Sequence, residues 1–100
     1  MKTPMVLVVA VVAALVLAAA AQAKATKFTF NDVTYPDGTT GEITASVKNT
    51  NTSHVWYCGY FSDDFQQSLG YYEQFSDTQI EADAATVEQF CLDHFNQREQ

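Results

Sequence analysis

From Met5 through Ala20 every position is apolar, mostly Val, Ala and Leu, with no alternation and no helical stripe. One positive side chain precedes the run, in Met1-Lys2-Thr3-Pro4. Ala21-Gln22-Ala23 follows it and supplies small residues at the -3 and -1 positions of a cleavage site. That order is the pattern of a secretory signal peptide. The sequence therefore predicts a leader over 1–23 and a single small secreted domain over 24–100. A retained anchor is the other reading. The run falls short of the roughly 20 residues a span requires, and Lys24 and Lys27 beyond it give no clear charge asymmetry.

The pattern then changes to a period of two. Phe28 and Phe30 share one face, Val33 and Tyr35 the other, and the phase slips at Asn31-Asp32. This predicts a strand over Lys27–Tyr35 with a bulge at the slip, after a frayed start at Lys24-Ala25-Thr26. Pro36-Asp37-Gly38 suits a type I turn. From Glu42 to Lys48 the alternation is clean, with Ile43, Ala45 and Val47 on one side and polar residues on the other. The two strands read as a hairpin. Asn49 to Ser53 is a polar loop, and His54 to Phe61 resumes a strand that is bulky on both faces, as central strands are.

Beyond Phe61 the spacing lengthens. Phe61, Phe65, Leu69 and Tyr72 recur at intervals that predict a short helix over Asp63–Leu69, capped by Ser62 and stopped by Gly70. Tyr71 to Phe75 fits no element clearly. Ile80, Ala84, Val87, Cys91 and Phe95 form an apolar stripe at helical spacing, with Asp83 placed to cap its start. The tail from Asn96 to Gln100 is polar and is expected to fray. The fold class that fits is α+β: a small antiparallel sheet of about three strands, then two helices on one face. The alternative is a small β-sandwich, with Thr78–Ala82 and Thr86–Cys91 as further strands.

Cys58 and Cys91 are the only two cysteines. In an oxidising compartment such an isolated pair is expected to form a disulfide. All thirteen Phe, Tyr and Trp residues lie beyond the leader and offer a sufficient aromatic core, and such a staple would help so small a domain. A zinc or redox site is disfavoured, because no further ligands sit at the right spacing.

Charge excludes several partners. The part after the leader holds four basic residues against all twelve acids, a formal net charge of -8. Phosphate backbones and anionic membranes repel such a surface, so the sequence predicts neither nucleic acid nor, after leader cleavage, a membrane as partner. It also excludes the cationic amphipathic class of antimicrobial peptide.

Little in the chain carries chemistry. His54 and His94 are the only histidines, and Asp93 beside His94 points away from it on a helix. No serine stands in a nucleophile elbow, and the acids do not follow calcium-loop spacing. No enzyme, metal or cofactor is predicted. Asn51-Thr52-Ser53 matches the N-glycosylation sequon in a loop. The aromatics say more: Trp56, Tyr57, Tyr60, Tyr71 and Tyr72 exceed what a small core must contain and are the candidate binding surface. The expectation is a secreted, non-enzymatic binding protein of an extracellular fluid, its target a protein or a glycan. A protease inhibitor presenting Tyr35–Gly41 or Asn49–Ser53 is the alternative. A small hydrolase is a third class, and it lacks a recognisable catalytic set.

Overall fold

A computed structural model describes residues 24–100, so the expected leader lies outside the described part. The chain forms four strands: β1 (Lys24–Thr34), β2 (Thr40–Asn49), β3 (His54–Ser62) and β4 (Ser68–Ser76). They pair in sequence order as one antiparallel sheet. One helix, α1 (Ala84–Asp93), follows. Among the described residues no helix is long and apolar enough to cross a membrane.

The predicted hairpin forms, and the slip at Asn31-Asp32 is a bulge between Phe30 and Val33. The bulge has a consequence for packing. Phe28 and Phe30 face the core, and without the extra residue Val33 would face away. With it, Val33 and Tyr35 return to the core side, where both are buried. Asp32 takes up the twist with φ of 55°. Lys24 to Thr26 do not fray, because they pair with Asn49, Lys48 and Val47 of β2.

Two further readings are corrected. The sheet has four strands rather than about three, and there is one helix rather than two. Asp63–Phe65 is a single turn of 3-10 helix in the β3–β4 connection, and the residues expected to continue it form β4. The spacing of Phe61, Phe65, Leu69 and Tyr72 reflects two faces of a sheet, not one face of a helix. Phe61 and Phe65 pack together on one side, ring centroids 5.2 Å apart. Leu69 and Tyr72 pack against the core on the other. The strand wins because β3 is buried at its centre and carries backbone groups that need partners on both edges. β4 supplies them, from His54 opposite Ser76 to Tyr60 opposite Gly70.

The predicted start of α1 is correct. Asp83 Oδ1 accepts the backbone N–H of Thr86 at 2.9 Å, satisfying a donor that the first helical turn leaves free. Val87 and Cys91 are buried against the sheet, flanked by Ile80 before the helix and Phe95 after it. Thr86–Cys91 is therefore helical, which removes the sandwich alternative. Cys58 and Cys91 are bonded, with Cα atoms 5.6 Å apart. The bond ties the centre of β3 to the last turn of α1.

Around that bond the core is largely aromatic. Tyr35 stacks on Phe95 at 4.3 Å, and Tyr60 meets the same ring edge-on at 5.3 Å. The Tyr60 hydroxyl donates to the Cys91 carbonyl, an otherwise unpaired group in the last helical turn. Trp56 stacks on Phe90 at 4.1 Å. The tail is ordered rather than frayed. Arg98 sits over the Phe95 ring and donates to the Leu69 carbonyl at 2.7 Å, and Glu99 exchanges two backbone hydrogen bonds with Tyr71. The tail thus shields part of the β4 edge.

Candidate functional site

The register of the sheet sorts its residues into two faces. Row by row across the strands, Thr26, Val47, Trp56 and Gln74 lie on one side, with Phe28, Ala45, Cys58 and Tyr72 in the next row. Cys58 fixes this as the side covered by α1. The opposite side has no layer over it among the described residues. Its rows are Lys27, Ser46, Tyr57 and Glu73; Thr29, Thr44, Gly59 and Tyr71; and Ala25, Lys48, Val55 and Phe75.

The five aromatics expected at a binding surface divide between these faces. Trp56, Tyr60 and Tyr72 lie under α1. Trp56 is half-buried against Phe90, Tyr60 is fully buried, and Tyr72 stacks on His94 at 4.5 Å. Tyr57 and Tyr71 lie on the open face, stacked on each other at 6.1 Å. Three phenylalanines absent from the expectation join them: Phe61, Phe65 and Phe75. Tyr57 is 37% exposed, Tyr71 41%, Phe65 44% and Phe75 69%. The signal for Phe61 was parity. Cys58 shares its face with Trp56 and Tyr60, so a helix tied through Cys91 covers those two and leaves Tyr57 and Phe61 open. Phe75 required reading β4 as a strand.

Local backbone geometry shapes this face. Gly59 lies between Tyr57 and Phe61, and a Cβ there would stand 2.8 Å from Thr44 Oγ1 and 3.4 to 3.5 Å from both rings. The two rings would stand at ordinary contact distance from it, and the crowding would come from the Thr44 hydroxyl opposite. Two hollows flank Tyr57. One, of about 280 Å³, lies over β1 and β2 among Lys27, Thr29, Thr44 and Ser46. The other, of about 440 Å³, reaches Lys48, Val55, Glu73 and Phe75. One hollow thus opens over β1 and β2 beside Tyr57, and the other runs from β2 across β3 to β4 between Tyr57 and Phe75.

Charge is uneven too. Lys27 and Glu73 project from opposite edges of one row of this face, and Lys48 from another. The other acids sit in loops, on α1 or in the tail, save Asp32 at the β1 bulge and Glu42, which is buried at the same end of the sheet. The Glu99 carboxylate hydrogen-bonds the Tyr71 phenol and, with its charge, pushes that phenol above its ordinary ionisation range.

His54 pairs with Asn49 through Nδ1 at 2.9 Å, while His94 closes α1 with Nδ1 2.8 Å from the Phe90 carbonyl. The two rings serve different ends of the fold. No group of acids, histidines and cysteines among the described residues is arranged to hold a metal ion. Asn51 is exposed in the β2–β3 turn, where Thr50 and Ser53 close the loop through their backbones at 2.8 Å. Tyr35 to Gly41 is the opposite hairpin turn, held by the Tyr35 N–H donating to the Thr39 carbonyl and by Asp37. No family model, curated protein or solved structure matches this chain.

Proposed function

We propose that this chain is a secreted, non-enzymatic binding protein that engages an extracellular protein or glycan through the open face of its sheet. One observation carries the reading: Tyr57, Tyr71 and Phe75 stand on a face with no layer over it among the described residues, each more than a third exposed, with Phe65 beside them. Exposed aromatic surface costs solubility and marks interaction sites. Tyrosine and phenylalanine supply much contact area for little lost side-chain freedom. The apolar leader pattern over 1–23 and the single disulfide support an extracellular setting.

The test compares three forms of the disulfide-bonded domain immobilised in the extracellular fluid of the source organism. They are the wild type, the triple substitution Tyr57→Ser, Phe65→Ser, Phe75→Ser, and a control with Ala85→Ser and Gln89→Ser on the exposed side of α1. The wild type and the control should retain a ligand that the triple variant loses, with all three sharing one circular dichroism spectrum. Equal retention by all three forms, or by none, overturns the reading.

A further inference from the structure

The open face has a property that a general binding surface does not need: it is complementary to itself. Consider a twofold axis running parallel to the strands between β2 and β3. Such an axis preserves position along the strands and exchanges β1 with β4 and β2 with β3. Each row of the sheet then meets the same row of a second copy in reverse order. In the central row, Lys27 of one copy falls over Glu73 of the other, and Ser46 over Tyr57. In the next, Thr29 falls over Tyr71 and Thr44 over Gly59. In the third, Ala25 falls over Phe75, and Lys48 over Val55. Five of these six pairings set a large side chain against a smaller one or join opposite charges, and the sixth sets a threonine against a glycine; in the row beyond them Glu42, held by the Asp32 and Asp64 N–H groups, falls over Phe61.

We propose that the open face closes on a second copy of this chain as a twofold sandwich. The stacked Tyr57 and Tyr71 of each copy enter the hollow of about 280 Å³ over β1 and β2 of the other, among Lys27, Thr29, Thr44 and Ser46. Both pairs are seated at once, because a twofold contact uses the same patch on each partner. Two sheets packed in this way keep their strands within about 30° of each other and stand roughly 10 Å apart. A lysine and a glutamate reach across that gap together. The chain's net negative charge opposes association, but most of it lies off this face, and two Lys27–Glu73 pairs fall inside the contact. Lys48 lays its aliphatic stem on Val55 and keeps its ammonium at the rim. Resting on the function proposed above, a ligand of the open face must displace the second copy, so self-association sets the concentration at which the face is free.

Sedimentation of the oxidised domain, from micromolar to millimolar concentration, tests this. The wild type should form a dimer and no higher species. Lys27→Glu or Glu73→Lys alone sets like charges opposite one another on both sides of the axis, and each should weaken the dimer by on the order of tenfold or more. Lys27→Glu combined with Glu73→Lys restores opposite charges and should restore the dimer. A monomer at every concentration overturns the inference, as does a dimer indifferent to both single changes. A monomer whose Tyr57 and Tyr71 resonances shift on adding chitohexaose would show a sugar platform instead and would also overturn it. None of these failures touches the retention test, which reads the dependence on the rings whatever the oligomeric state.

Discussion

Glu42 accepts the backbone N–H of Asp64 at 2.6 Å, from a carboxylate that is only 4% exposed. Its other oxygen takes the N–H of Asp32 at 2.9 Å. Both donors belong to residues with positive φ, Asp32 at 55° and Asp64 at 57°, a conformation non-glycine residues adopt only when their surroundings impose it. One side chain therefore holds the β1 bulge and the β3–β4 turn together. Glu42→Ala should lower stability by about 2–4 kcal/mol, since it removes two charge-assisted hydrogen bonds and leaves both donors unpaired. Glu42→Gln keeps one acceptor and should cost about half as much. Urea unfolding of the two variants measures this, and a loss under about 0.5 kcal/mol for the alanine variant would remove Glu42 from this role.

The Cys58–Cys91 bond closes a sequence separation of 33 residues. By the chain-entropy relation a loop of that size contributes roughly 3–4 kcal/mol. Replacing both cysteines by alanine should lower the urea midpoint accordingly. The far-ultraviolet signal of α1 should fall before that of the sheet, because the bond is the helix's covalent link to β3. Unchanged stability would mean that the aromatic contacts of Phe90 and Phe95 hold the helix unaided.

Alkali should unfold the domain through its buried phenols. Burial pushes Tyr35 above its ordinary range, aided by the Glu42 charge and partly offset by its hydrogen bond to the Phe61 backbone. Burial pushes Tyr60 far above that range. A phenol whose folded pKa exceeds its unfolded value of about 10 contributes stability that is fully present below that pH and is lost as pH rises toward the folded value. The phenolate absorbance of these two residues should therefore appear only with loss of near-ultraviolet dichroism. Tyr60→Phe should move the alkaline midpoint upward while lowering stability at neutral pH by about 1 kcal/mol, the hydrogen bond to Cys91 being gone. Phenolate formation by Tyr35 and Tyr60 in a still-native spectrum would contradict this account.

Gly70 has φ of 111°, and a Cβ on it would lie 2.2 Å from the Glu99 carbonyl oxygen. The tail reaches the β4 edge only because that side chain is missing. Gly70→Ala should detach residues 98–100 and expose the Tyr71 backbone, raising its amide exchange to that of an unprotected edge. Relief of the Glu99 carboxylate should also bring the Tyr71 phenol down toward its ordinary range, which a tyrosine titration by NMR reads directly. Continued protection of the Tyr71 amide would show that the tail docks by its side chains alone.

The parts legible in the chain are those fixed by neighbours in sequence. Alternation of Ile43, Ala45 and Val47 defined β2, the slip at Asn31-Asp32 located a bulge, and Asp83 marked the start of α1. Each rests on contacts within a few residues or across one hairpin. β4 was not legible, because Phe61, Phe65, Leu69 and Tyr72 fit a helical stripe as well as they fit two faces of a strand. Only the unpaired edge of β3, a demand made by the whole sheet, decides between them. The same holds for the aromatics. Alternation places Trp56 and Tyr57 on opposite faces, and only the expected Cys58–Cys91 pairing, not the alternation, points to the Trp56 side as the covered one. The Cys58–Cys91 bond and the stacking of Phe90 on Trp56 decide it. Tyr60 is thereby committed to the core, while Tyr57, Tyr71 and Phe75 are left exposed on the open face. Which side a helix covers depends on contacts between residues some thirty positions apart, and local periodicity does not encode them.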